Sequence, residues 1–253
     1  MKRLLTVTIL LFASLLYSQS KFDINNLIDR GVLKYAPNDD EPYTGKVFDF
    51  YENGQKKLDG NYRKGLMTGK WTYYQENGQI REQGRFIDGD GSTPDGVYPD
   101  WMADSLISIL PPFDGRSGKW TYWSENGQKS SERTYKDGEL DGKSTYWHEN
   151  GQKWSEATYK DGEVNGLHTG WYENGQKKFE GTYKDGELDG LWTWWYENGQ
   201  KEKEGTYKDG ELDGLWTWWY ENGQKKWEGT FKDRVLISSK CWDEDGNEMD
   251  CPW

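Results

Sequence analysis

The sequence predicts an all-β fold: an elongated single antiparallel meander of about seven 24-residue β-hairpin repeats, with one short helical insertion. Three observations carry this. First, Glu-Asn-Gly-Gln recurs seven times, at Asn53, Asn77, Asn126, Asn150, Asn174, Asn198 and Asn222; every interval is 24 residues except the second, which is 49. A fixed period in this range marks an array whose units bury their faces only by stacking on neighbours. Second, aromatic and Thr residues flank each Asn-Gly, as in Trp192-Thr193-Trp194-Trp195 before Asn198 and Gly205-Thr206-Tyr207 after it. That is the pattern of two strands joined by a tight turn. Third, the chain of 253 residues holds 16 Trp and 17 Tyr, with 31 Gly and only 7 Pro. Such rings bury about 150–250 Å² each, so an aromatic core replaces an aliphatic one.

In chain order, residues 1–20 read as a secretory signal peptide. Lys2 and Arg3 precede an apolar run from Leu4 to Tyr17, and Ser18-Gln19-Ser20 supplies the small residues of a cleavage site. The run is shorter than the roughly 20 residues that span a bilayer. The expected destination is export to the periplasm, the outer membrane surface or the medium, with no transmembrane segment in the mature chain. Residues 21–44 form an N-terminal cap, with Val32–Tyr35 and Tyr43–Phe48 expected to pair around Asn38-Asp39-Asp40.

Residues 45–237 are the array. Each repeat has an aromatic three positions before its Asn, from Phe50 to Trp219, and another nine positions after it, from Tyr62 to Phe231. An even separation puts both on one face only if the loop has an odd number of residues. This favours a three-residue loop closing on a left-handed Gly over the two-residue turn that Asn-Gly usually signals. The Lys-Asp-Gly-Glu-Leu-Asp-Gly segments make the second turn of each repeat. The opposite face carries Trp71 and Tyr73, Trp120 and Tyr122, then Trp192, Trp194, Tyr196, Trp216, Trp218 and Tyr220. Either the sheet twists enough to cover both faces, or these rings form an exposed ladder used for binding.

The insertion at 90–114 opens the turn between the second and third repeats. Met102, Leu106, Ile109 and Leu110 have the spacing of an amphipathic helix, which Pro111-Pro112 stops. It is expected to clip back on the sheet, with a partner-binding protrusion as the alternative. Residues 238–253 form a C-terminal cap. Arg234 replaces the Gly of the second turn, Glu244-Asp245-Gly246-Asn247 is a weaker eighth copy, and Cys241 and Cys251 are expected to form a local disulfide in an oxidising compartment.

The net charge of −12 argues against a nucleic-acid partner, whose phosphates would be repelled. No phosphate loop, cofactor fingerprint or metal-ligand spacing is present, so no cofactor and no metal are expected. Glu156, Glu180, Glu204 and Glu228 recur in equal surroundings, whereas a catalytic pair needs two different ones. His148 and His168 read as surface substitutions. No catalytic residues are assigned, and the chain reads as a non-enzyme.

Tyr172-Glu-Asn-Gly-Gln-Lys-Lys178 followed by Glu180-Gly-Thr-Tyr-Lys-Asp-Gly-Glu-Leu-Asp-Gly-Leu-Trp192 resembles the bacterial variant of the MORN repeat. That variant is found in proteins labelled toxin-antitoxin system YwqK family antitoxins. The resemblance covers about residues 43–234 and the closing Cys241–Glu248. It implies a non-enzymatic β-repeat scaffold that binds another macromolecule. With the leader, the expectation becomes an exported scaffold for a protein partner, such as a toxin it neutralises or an envelope complex it organises. Its surface would be Trp192, Trp194, Tyr196, Trp216, Trp218 and Tyr220, since Trp is enriched at binding hot spots. The alternative is a cell-wall glycan-binding repeat protein, whose rings would stack on sugar faces.

Overall fold

The computed structural model describes residues 22–87, 115–232 and 234–251. The expected leader at 1–20 and the helical insertion at 90–114 lie outside the described residues. What is described is one long sheet in which each hairpin pairs with the next. The seven repeats are Gly45–Phe50 with Lys56–Arg63, Leu66–Tyr74 with Ile80–Phe86, Arg116–Trp123 with Lys129–Lys136, Gly142–Trp147 with Lys153–Lys160, Glu163–Trp171 with Lys177–Lys184, Glu187–Trp195 with Lys201–Lys208, and Glu211–Trp219 with Lys225–Lys232. An eighth hairpin, Val235–Trp242 with Glu248–Met249, closes the array. Cys241 and Cys251 stand there at disulfide distance, their Cα atoms 5.3 Å apart.

The loop within each repeat has three residues. In repeat 6 the Tyr196 N–H donates to the Gln200 carbonyl and the Gly199 N–H to the Tyr196 carbonyl, with Gly199 at φ 86°. This is the turn that closes on a left-handed residue, which Gly adopts without a Cβ clash. The loop between repeats is instead a two-residue turn with both residues left-handed, as at Asp185 (φ 49°) and Gly186 (φ 81°).

A bulge corrects the expected face assignment. Trp194 pairs with Lys203, but Trp195 pairs with Lys201, so Glu202 is skipped and the parity flips. Tyr207 therefore faces Trp192, Trp194 and Trp216, at centroid distances of 6.4, 6.4 and 5.0 Å. Trp195 stands on the other face with Thr193, Glu204 and Lys201.

The core is the column six positions before each Asn. Val47, Trp71, Trp120, Trp192 and Trp216 there expose 3% of their surface or less. Each indole of the column lies over a glycine of the preceding strand: Trp71 over Gly60, Trp120 over Gly84, Trp192 over Gly181 and Trp216 over Gly205. Its Nε1–H donates to the carbonyl one residue beyond that glycine, on Asn61, Arg85, Thr182 and Thr206 at 2.9–3.2 Å. On this face Trp192 and Trp216 are core, not an exposed ladder.

The opposite face is held by a charge ladder. Lys153, Lys177, Lys201 and Lys225 pair with Glu156, Glu180, Glu204 and Glu228 at 2.6–2.7 Å. The same ammonium groups lie 5.3–5.7 Å from the ring centroids of Trp171, Trp195, Trp219 and Trp242 in the next hairpin. The N-terminal cap pairs differently from expectation. Ile28–Arg30 pairs with Leu33–Tyr35, while Gly45–Phe50 belongs to repeat 1 and takes Phe22–Asp23 as a parallel neighbour. The bond from the Tyr43 N–H to the Lys34 carbonyl joins the two segments expected to pair, and the Tyr35–Pro42 bridge lies just before the second of them.

Candidate aromatic cleft

One row of paired positions crosses the C-terminal half of the sheet: Phe179, Trp194, Lys203, Trp218, Trp227 and Cys241. It runs beside the Trp–Gly column, on the same face. Because paired side chains on one face stand about 4.5–5.5 Å apart at Cβ, large rings here must tilt against one another. Trp194 stacks on Trp192 at 5.4 Å and lies 6.0 Å from Trp216; Trp218 tilts against Trp227 at 5.2 Å. Between them opens a cleft of about 310 Å³ lined by Lys203, Tyr207, Leu212, Trp216, Trp218, Trp227 and Phe231.

Two polar groups stand at this apolar wall without an ionic or hydrogen-bonding partner. The Lys203 ammonium lies 4.3 Å from the Trp194 ring centroid, and among the described residues no carboxylate pairs with it. Trp227 is 6% exposed, yet its indole N–H has no hydrogen-bond acceptor. Burial raises the Tyr207 phenol above its ordinary pKa, so it stays protonated and neutral. The cleft is thus an apolar slot with one cation at its edge and, in its wall, a buried indole whose N–H has no acceptor.

The structure distributes the six expected binding residues among three roles. Trp192 and Trp216 are buried, and Trp216 is the floor of the cleft. Trp194 is its outer neighbour and Trp218, 38% exposed, its rim. Tyr196 and Tyr220 lie outside it, because their hydroxyls donate to the carbonyls of Trp219 and Trp242 at 2.8 and 3.0 Å and join successive repeats.

Lys203 and Trp227 were not among the expected site residues. Their signal was positional: five residues after each Asn the array has Leu58, Glu82, Ser131, Ser155, Phe179, Lys203 and Trp227. Only Ser recurs at that place, in repeats 3 and 4, in an otherwise regular repeat.

The histidines are not surface substitutions. His168 takes the place of the core Trp, half-buried against Phe179 at 4.8 Å, with its pKa lowered by desolvation. Its Nε2 lies 3.0 Å from Ser155 Oγ, but Nδ1 has no partner, so the pair lacks the third group that orients a catalytic base. His148 replaces the joining Tyr and bonds the Trp171 carbonyl through Nε2 at 3.2 Å. A second depression, about 440 Å³, lies beside it at Trp147, Glu149, Asn150, Trp154 and Glu173. It is a gap between turns whose His148 and Asn150 side chains already bond the next repeat.

A family model described as MORN repeat variant matches residues 43–64, 67–88, 116–137, 140–161, 164–185, 188–209 and 212–233. No curated protein matches the chain. Among solved structures, the crystal structure of the GtfA/B complex bound to UDP and GlcNAc matches at 14% identity and a TM-score of 0.21. The match covers 49% of this chain and 25% of that one, so the chain spans about a quarter of its length.

Proposed function

The chain belongs to the MORN repeat variant family, and from that premise we propose an exported, non-enzymatic repeat scaffold that binds a protein partner through the aromatic cleft of repeats 6 and 7. One observation carries the reading. Among the described residues, Lys178 and Lys226 also lie over a ring without a carboxylate, but at exposed positions; Lys203 is half-buried and meets Trp227, a core indole whose N–H has no acceptor, at one cleft. A partially exposed Trp rim over a desolvated floor is the arrangement of a binding hot spot. Export is supported by the leader pattern in the sequence and by the cysteine pair at disulfide distance. A toxin neutralised outside the cytosol, or an envelope complex, fits such a scaffold.

A second reading, cell-wall glycan binding, is favoured by the Trp218 ring, 38% exposed at the rim, whose face suits a sugar ring. The test is a pull-down from envelope and secreted fractions, comparing the mature protein with a folded Trp218→Ala/Lys203→Ala variant. A discrete protein captured by the wild type, lost in the variant and rebound when purified supports the scaffold. Recovery of cell-wall glycan alone transfers the cleft to the second reading.

A further inference from the structure

We infer that the cleft of repeats 6 and 7 recognises an acidic peptide segment: an apolar side chain in the slot and a neighbouring Asp or Glu carboxylate on Lys203. The inference rests on the proposed binding role of the cleft and names the chemistry of its occupant.

Two comparisons within the array support it. The first concerns cations. Lys153, Lys177, Lys201 and Lys225 occupy one repeating position, and each meets a Glu three residues on at 2.6–2.7 Å. Lys203 lies on the opposite face, at a position that holds Phe179 one repeat earlier and Trp227 one repeat later. Among the described residues it has the Trp194 ring and no carboxylate. An ammonium against an indole face loses part of its hydration. An incoming carboxylate there forms a charge-assisted hydrogen bond at a desolvated edge, where it is stronger than in open water.

The second comparison concerns indole donors. Trp71, Trp120, Trp192 and Trp216 each donate Nε1–H to a main-chain carbonyl. Trp227 is buried to the same order, lines the cleft and has no acceptor. A buried donor without an acceptor is costly, so an occupant that shifts the ring enough to reach its N–H gains by satisfying it. The peptide supplies acceptors of both kinds, a carboxylate and main-chain carbonyls. The lining Leu212, Phe231, Tyr207 and Trp218 set the apolar part of the match.

The test uses the intact mature protein and two isosteric probes, acetyl-Phe-Glu-amide and acetyl-Phe-Gln-amide, titrated with tryptophan fluorescence and ligand-observed NMR as readouts. The Glu probe is expected to bind about ten-fold more tightly, the scale of one charge-assisted contact. Lys203→Met keeps an unbranched side chain on Trp194 and should erase that preference while leaving weak binding of both probes. Lys177→Met, on the other face, should leave the preference unchanged. Equal binding of the two probes to wild type, or a preference that survives Lys203→Met, overturns the acidic specificity but leaves an apolar scaffold cleft. If neither probe binds and Trp218→Ala still captures the partner, the cleft itself is not the site and both readings fall.

Discussion

Gly181 and Trp192 interlock: the indole lies so close over the glycine that a β-carbon built there would collide with its Cδ2 and Cε2. The same contact recurs between Gly205 and Trp216, one repeat on. A ring that fills the space of an absent side chain is how one sheet can bury tryptophans to 3% exposure.

Gly181→Ala should therefore destabilise by about 3 kcal/mol, the upper range for overpacking a rigid core. Gly190→Ala is the contrast. Its site is open, with only Thr182 Oγ1 at 3.8 Å, but its φ of 79° penalises any Cβ; the cost should be about 1–2 kcal/mol. Urea denaturation of the two variants checks the order. Equal losses would mean the indole does not rest on the glycine.

Repeats 3 and 4 exchange this arrangement for another. Arg133 stands at the glycine position and Ser144 at the tryptophan position, and Ser144 has no exposed surface. The Arg133 guanidinium lies 4.7 Å from the Tyr122 centroid and 5.2 Å from Tyr146. Ser144→Trp alone should overpack by about 1–3 kcal/mol, and Arg133→Gly alone should open a void. The double variant restores the Gly–Trp pair, so the cycle should show favourable coupling of about 1–3 kcal/mol. Additive losses in thermal or urea unfolding would rule out the exchange.

Neighbouring turns are linked by their asparagines. Asn198 Oδ1 accepts from the Gln200 N–H at 2.9 Å, while Nδ2 donates to the Glu221 carbonyl of the next repeat at 2.9 Å. Asn198→Asp keeps the first bond, loses the second and sets a charge beside a carbonyl. It should cost about 1 kcal/mol, and Tyr196→Phe, which removes the bond to Trp219, about the same. Hydrogen exchange should show the loss at the turns of repeats 6 and 7, and uniform loss along the array would contradict a local link.

The hairpin period was readable from Glu-Asn-Gly-Gln because a left-handed Gly leaves a direct sequence mark. The faces were not, because a skipped residue such as Glu202 reverses parity without changing the period. Glycine held the missing information: Gly60, Gly84, Gly181 and Gly205 recur seven positions after the Asn, inside strands where glycine is otherwise unfavourable. Read as seats for rings on the next strand, they identify Trp192 and Trp216 as core. The cleft was half legible, since Trp216 and Trp218 were expected, whereas the variable position of Lys203 and Trp227 marks a departure from the repeat whose meaning comes from cross-strand register.

Acid stability should fall in two separated steps. His168 has its pKa lowered below 6.5 by burial, so the unfolded chain binds this proton more readily than the folded one. Stability is then full above about pH 6.5 and declines as pH falls from there toward the folded pKa, as the neutral ring is forced to charge. Glu132 and Glu156 behave at lower pH. Glu132 is held below 4.5 chiefly by its bond to Lys129; at Glu156 burial opposes the shift, and Lys143 and Lys153 outweigh it. Their contribution is present above about pH 4.5 and lost as pH falls through their folded values. His168→Phe keeps an aromatic ring in the column and should abolish only the upper step, leaving the one below pH 4.5 intact. Denaturant midpoints measured from pH 7.5 to 3.5 would show it, and an unchanged decline between pH 6.5 and 5 in the variant would assign that step to another group.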